Sequence, residues 1–155
     1  MRNWTLCASS CGFAIAGAIG LFIEEYLLGL TAILTSMMSI NFWRWEVDGL
    51  RHTMDVAMAN ISFMIFTIHG IQNPHIFVYG WPCWFGIVVC FIVSRRLQKR
   101  PKFDRTWQIP HVLFHLLVAM GQLLVIMGRR MPFTFYFYDE VVLLTLSQEM
   151  RVPLG

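Results

Sequence analysis

The sequence predicts an all-α, integral membrane helical bundle of about five transmembrane helices with a cytoplasmic N-terminus. Three observations carry that reading. Of 155 residues, 57% are hydrophobic and only 14% are charged, against about 25% charged residues in soluble domains. Apolar runs close to the roughly 20 residues that cross a hydrocarbon core of about 30 Å recur along the chain. Lysine and arginine are distributed unevenly between the two sets of loops those runs define.

The runs are Thr5–Ile23, Tyr26–Trp43, Met54–Ile71, Ile76–Ser94 and Ile109–Met127. Arg2 and the small residues Ala16 and Ala18 give the first run some features of a signal peptide. Only Glu24 and Glu25 separate it from the second run, however, and no polar domain follows, so it is read as retained. Its Gly12, Ala16 and Gly20 repeat at four-residue spacing, the small-xxx-small pattern that lets helices approach closely. Pro82 and Pro110 begin or bend helices, which membrane spans tolerate. After Arg130 the character changes: Pro132 stops the helix, and Phe133, Phe135, Tyr136, Phe137 and Tyr138 form an aromatic belt suited to a membrane–water boundary. The expected organisation is a transmembrane bundle over 1–130. Residues 131–155 would form an aromatic interfacial segment with a short amphipathic tail over Asp139–Met150.

Five spans put Arg2, Arg44, Arg51, Arg95, Arg96, Lys99, Arg100, Lys102 and Arg105 on one side and Arg129 and Arg130 on the other. Because cytoplasmic loops carry the Lys/Arg excess, the first side should be cytoplasmic. The basic loop from Arg95 to Arg105 suits anionic lipid, and nucleic-acid binding is not needed to explain it. The four cysteines, Cys7, Cys11, Cys83 and Cys90, all lie in apolar runs and form no close Cys-x-x-Cys pair. They read as packed or lipid-facing small residues rather than a zinc or redox motif.

The polar residues within the spans are more informative. His111 and His115 lie one turn apart on one helical face, in a segment where ionisable groups are costly and usually functional. Ser39, near the end of the second span, lies roughly 6 Å inside its boundary and His115 about 9 Å inside its own, at about 1.5 Å per residue. His52 and Asp55 open the third span on the same side. A zinc ion accepts neutral imidazole nitrogens, with three protein ligands and one open position in catalytic sites. Such an ion generates a hydroxide nucleophile near neutral pH; a carboxylate such as Asp55 could orient that water or take its proton. Ser39 could donate to a substrate carbonyl.

Plainer roles stand beside these. The two histidines could each bond a neighbouring carbonyl or hydroxyl. Asp55 could cap the third span or pair with Arg51. Ser39 could bond backbone, and Asn60 could bridge helices. His69, His75, Glu24 and Glu25 are expected as solvated residues at the far boundary.

The order Ser39-x-x-Phe42 at the end of one span, Asp55 at the start of the next, and His111-x-x-x-His115-Leu116 with Ala119 and Gly121 in the last resembles the CREST superfamily. That group includes alkaline ceramidases, PAQR receptors and lipid-remodelling proteins. The resemblance covers about Ser39–Gly121 and implies a reduced, five-span version of a seven-helix fold. It implies zinc as cofactor, His111 and His115 as metal ligands, and Asp55 and Ser39 as catalytic residues. A lipid amide or ester such as ceramide would be the substrate. The family pattern is Ser-x-x-x-His, and Trp43 stands where that histidine belongs, so His52 is the remaining candidate for the third ligand. Two other readings follow from the same residues. One is an inactive relative that binds lipid or a protein partner. The other is a haem-binding protein in which His52 partners His111 or His115. Desaturase-like di-iron chemistry needs more than the five histidines present. No paired broken helices suggest a transporter.

Overall fold

A computed structural model describes residues 3–45, 49–98 and 106–130. The interfacial segment and tail expected over 131–155 lie outside these residues, as do most of the basic loop and the side chain of His75. Among the described residues five helices run in order: α1 Trp4–Phe22, α2 Tyr26–Trp43, α3 Leu50–Ile71, α4 Pro74–Gln98 and α5 Gln108–Arg130. No strand occurs among the described residues. Each helix contains a segment long and apolar enough to cross a membrane, and together they form an all-α bundle.

The helix ends follow from local chemistry. The Asn3 side chain accepts from the Leu6 backbone N–H at 3.3 Å and caps α1. α1 and α2 are joined by a turn in which Glu24 takes a φ of 66°, so the chain reverses with almost no connector. Gly49 precedes α3 with a φ of 122°, a backbone region open to glycine and costly for residues with a Cβ. Pro74 opens α4, where its missing N–H deprives the helix of nothing. α3 starts at Leu50, four residues before the expected Met54, so His52 lies inside a helix and not in a loop. α4 contains the whole of the expected Ile76–Ser94, and among the described residues its apolar crossing segment runs Gly80–Gln98.

Small residues set the tightest contact. A Cβ built on Gly17 would lie 2.7 Å from the Gly29 carbonyl oxygen, and one on Gly20 would lie 2.9 Å from the Gly29 Cα. Backbones of α1 and α2 therefore touch, as the small-residue spacing predicts, although Gly17 and Gly29 add to the expected set. α5 lies against both α1 and α4. The core between them contains Ala16, Leu28, Ala32, Val125 and Ile126. By contrast, α3 and α4 are the loosest of the consecutive helix pairs.

The two ends of the bundle differ. At one end the Asn3 backbone N–H donates to the Trp43 carbonyl at 3.1 Å, tying the start of α1 to the end of α2. Arg44, Arg51, Arg95 and Arg96 all lie at this end, called here the basic end. At the opposite end Arg129 holds Glu25 at 3.2 Å and His69 Nδ1 at 2.6 Å. Glu25 and His69 were expected as solvated boundary residues; in fact one guanidinium joins α1–α2, α3 and α5 through them. Three cysteines, Cys7, Cys83 and Cys90, are buried and Cys11 is exposed, all as free thiols.

Candidate functional site

Ser39, His52, Asp55, His111 and His115 all line one cavity of about 900 Å³. The sequence placed these residues on three separate helices, and the bundle brings all five to the basic half of a single space. Below them the lining is mostly apolar and aromatic, reaching Phe66, Trp84 and Val125. From His111 to Val125 is fourteen residues of α5, about 21 Å at about 1.5 Å per residue. The cavity is thus elongated along the helices, with its ionisable groups at one end and mostly apolar walls, interrupted by Ser62, Thr67 and Gln122, towards the other.

The histidine pair is held from behind. The Ser9 hydroxyl donates to the Leu6 carbonyl at 3.0 Å, and its oxygen lies 2.8 Å from His115 Nδ1. A hydroxyl has one proton, so with that proton on Leu6 the oxygen accepts from Nδ1–H. Ser94 repeats the arrangement for the other ring: its oxygen is 3.0 Å from His111 Nδ1, and its proton is directed to the Trp107 carbonyl at 3.4 Å. Which nitrogen carries the proton follows from this network. In the tautomer this network favours, with the proton on Nδ1, both rings present an unprotonated Nε2, and among the described residues neither Nε2 has a hydrogen-bond partner. Nδ1 anchored behind and Nε2 left with its lone pair is the arrangement that orients imidazoles toward a ligand.

A hydroxyl chain links this pair to the other polar group of the cavity. Ser10 Oγ lies 3.4 Å from His115 Nδ1 and is hydrogen-bonded to Ser39 Oγ at 3.0 Å. Ser39 in turn interacts with the Asp55 carboxylate, which also lies within electrostatic reach of His52. Ser39 therefore bonds side chains on α1 and α3 and not simply backbone. Asp55 is not paired with Arg51 among the described residues.

Trp43 packs against the histidine pair. Its ring meets the His111 ring edge-on at 4.9 Å between centroids and lies 6.4 Å from that of His115. The His111 and His115 rings are themselves 4.9 Å apart. His52 packs on Phe42 at 5.0 Å, and Phe42 in turn packs on Trp43 at 4.6 Å. Among the described residues, no three His, Cys, Asp or Glu side chains converge in a group able to hold a metal ion. The donor set expected for zinc is present as a pair on α5, with His52 and Asp55 in the same cavity but not gathered onto it.

Sequence reasoning missed Ser9, Ser10 and Ser94, and it also missed Gln122, whose Nε2 donates to Ser62 Oγ at 3.1 Å in the buried interior. For the α1 serines a signal existed. Ser9 lies five residues inside α1, about 8 Å at about 1.5 Å per residue, the same depth at which Ser39 and His115 were placed. Compared with family models, curated proteins and solved structures, the chain matches none.

Proposed function

We propose that this protein is an integral membrane protein that takes a lipid-like amphiphile into the cavity between its helices, with the polar part of the ligand among Ser39, Asp55, His111 and His115. One observation carries the reading: polar and ionisable residues from α2, α3 and α5 line the same end of one elongated, mostly apolar cavity. Small-molecule sites have this character, mostly apolar walls with a few convergent polar groups, in volumes of about 300–1,000 Å³. Unprotonated Nε2 atoms accept hydrogen bonds from hydroxyl or amide N–H groups, and Ser39 can donate to a carbonyl. Lipids bearing amides, esters or hydroxyls supply both. The test is lipid retention by protein purified in mild detergent, read by native mass spectrometry. Near-stoichiometric lipid that is lost when Ala59, on the cavity wall, is changed to Trp supports the reading. No retained or exchangeable lipid in folded protein overturns it.

A second reading, hydrolysis of a lipid amide or ester with zinc, draws on the CREST resemblance and on the two Nε2 lone pairs. His111 and His115 are oriented as metal ligands are. The third donor does not fit: the side chain packed against the pair is Trp43, a tryptophan offers no lone pair to zinc, and no third donor among the described residues converges on the pair. The reading therefore rests on a bound metal brought by His52 or Asp55 moving toward the pair. Zinc measured in purified protein, and its loss in His111→Ala, would support it. Metal-free, well-folded protein would leave the lipid-binding reading alone.

A further inference from the structure

α4 carries a stripe whose composition changes at its basic end. Trp84, Val88, Phe91, Arg95 and Gln98 are spaced by three or four residues, so they share one helical face, and all five line the cavity. Val88 and Phe91 are also 48% and 45% exposed, as is Phe63 opposite them on α3 at 50%. These half-exposed lining residues stand on α3 and α4, the loosest of the consecutive helix pairs, so the gap between these two helices is the way in. A ligand can therefore enter sideways from the lipid, with its chain along the stripe.

Arg95 stands at the head of this opening. Its Nη1 donates to Gln98 Oε1 at 3.4 Å, and its guanidinium lies close enough to His111 to act on it electrostatically. Among the described residues it forms no salt bridge. Asp55 is the single acidic residue among the described lining residues, and it is engaged with Ser39 and His52 on the α2–α3 side. Arg96, its neighbour, does not line the cavity. A membrane-end arginine is ordinarily explained by loop charge alone; an arginine that completes the wall of an apolar cavity has a second consequence. A guanidinium offers a fork of donors matched to the oxygens of a carboxylate or phosphate.

We propose that the cavity selects a single-chain amphiphile with an oxyanion head, held by Arg95 at the α3–α4 opening while its chain lies along the α4 stripe. This inference rests on the amphiphile-binding reading above and adds the charge of the ligand to it. The shared chemistry is an acyl chain ending in a carboxylate or a phosphate monoester, and the experiment separates the two.

Full-length protein in neutral detergent is titrated with palmitate, lysophosphatidic acid, lysophosphatidylcholine and monoacylglycerol, with binding read by displacement of a fluorescent acyl probe. At least one of the two anionic ligands should bind roughly tenfold more tightly than the neutral and zwitterionic ones, the scale of one charge-assisted contact. That preference should vanish in R95Q and persist in R96Q. Preference for palmitate alone names the carboxylate as the head, and preference for lysophosphatidic acid alone names the phosphate. A wild-type elution profile and thermal unfolding midpoint in the same detergent show that R95Q is folded. Equal affinity for all four ligands, or equal losses in R95Q and R96Q, overturns the role of Arg95 while leaving the cavity reading intact. Failure of every ligand to bind overturns both.

Discussion

Ser9 Oγ lies 2.8 Å from His115 Nδ1 across 106 positions of sequence, and the pair joins the first helix to the last at the polar end of the cavity. Because the Ser9 proton is committed to Leu6, this contact also decides which nitrogen of His115 faces the ligand. His115 is 3% exposed, and without Ser9 its Nδ1–H would keep only the longer 3.4 Å contact with Ser10 Oγ, a poor replacement in a buried site. The Ser9→Ala substitution should therefore destabilise the protein. A double-mutant cycle with His115→Ala, followed by unfolding in mixed micelles, should give a coupling of about 1 kcal/mol, the scale of interhelical hydrogen bonds in membranes. Additive losses, within about 0.3 kcal/mol, would show that the serine does not hold the ring.

Gly17 and Gly29 allow α1 and α2 to meet backbone to backbone. In Gly17→Ala the new methyl would meet the Gly29 carbonyl oxygen and the Ile33 side chain at 2.7 and 2.6 Å, and the first of these is backbone that cannot swing aside. The expected loss is about 1–3 kcal/mol, as for overpacked interiors. Gly80→Ala is the matched control, since a Cβ there meets nothing within 4 Å. It should be neutral or slightly stabilising, by up to about 1 kcal/mol from helix propensity. Melting temperatures in one detergent compare the two variants directly, and equal behaviour would refute the close contact.

Arg129 holds Glu25 and His69 at the far end but is 38% exposed, so its ion pair is solvent-screened and worth about 0–1 kcal/mol. Arg129→Ala should lower stability by no more than that, and less at high salt. Glu25→Gln should lose part of the same increment. A salt-independent loss several times larger would mean that this cluster, rather than the α1–α2 glycines, closes the bundle.

Much of this molecule was legible because two periodicities are strong. The length of the apolar runs determined five helices, and helical spacing placed His111 and His115 on one face with Ser39 and Asp55 at matching depth. The hydroxyls behind them were harder to read. Ser9, Ser10 and Ser94 are small enough to pass as packing residues in an apolar run, and only tertiary neighbours turn such a side chain into an acceptor for a particular imidazole. Arg95 was hidden for the opposite reason: it sits in a run of basic residues whose charge already has an explanation in membrane orientation. His52 was ambiguous because Gly49, with its left-handed φ, starts α3 earlier than the hydropathy does.

Trp43 remains the decisive position, and a single substitution interrogates it. Its ring centroid is 4.9 Å from that of His111 and 6.4 Å from that of His115. Its indole N–H is buried without a hydrogen-bond partner among the described residues, which costs about 1–3 kcal/mol. In W43H an imidazole would replace this ring beside two others whose Nε2 atoms are already unprotonated. Three imidazoles are a sufficient protein donor set for zinc with one position left open. Protein purified in the presence of zinc and then dialysed should retain close to one ion per chain in W43H. It should retain none in W43H combined with His115→Ala, and less in the wild type than in W43H. W43F supplies the packing control: it removes the unpartnered N–H, should not lose stability through hydrogen bonding, and should bind no more zinc than the wild type. Zinc retained equally by W43H and W43F would mean that position 43 does not face the pair as a ligand would.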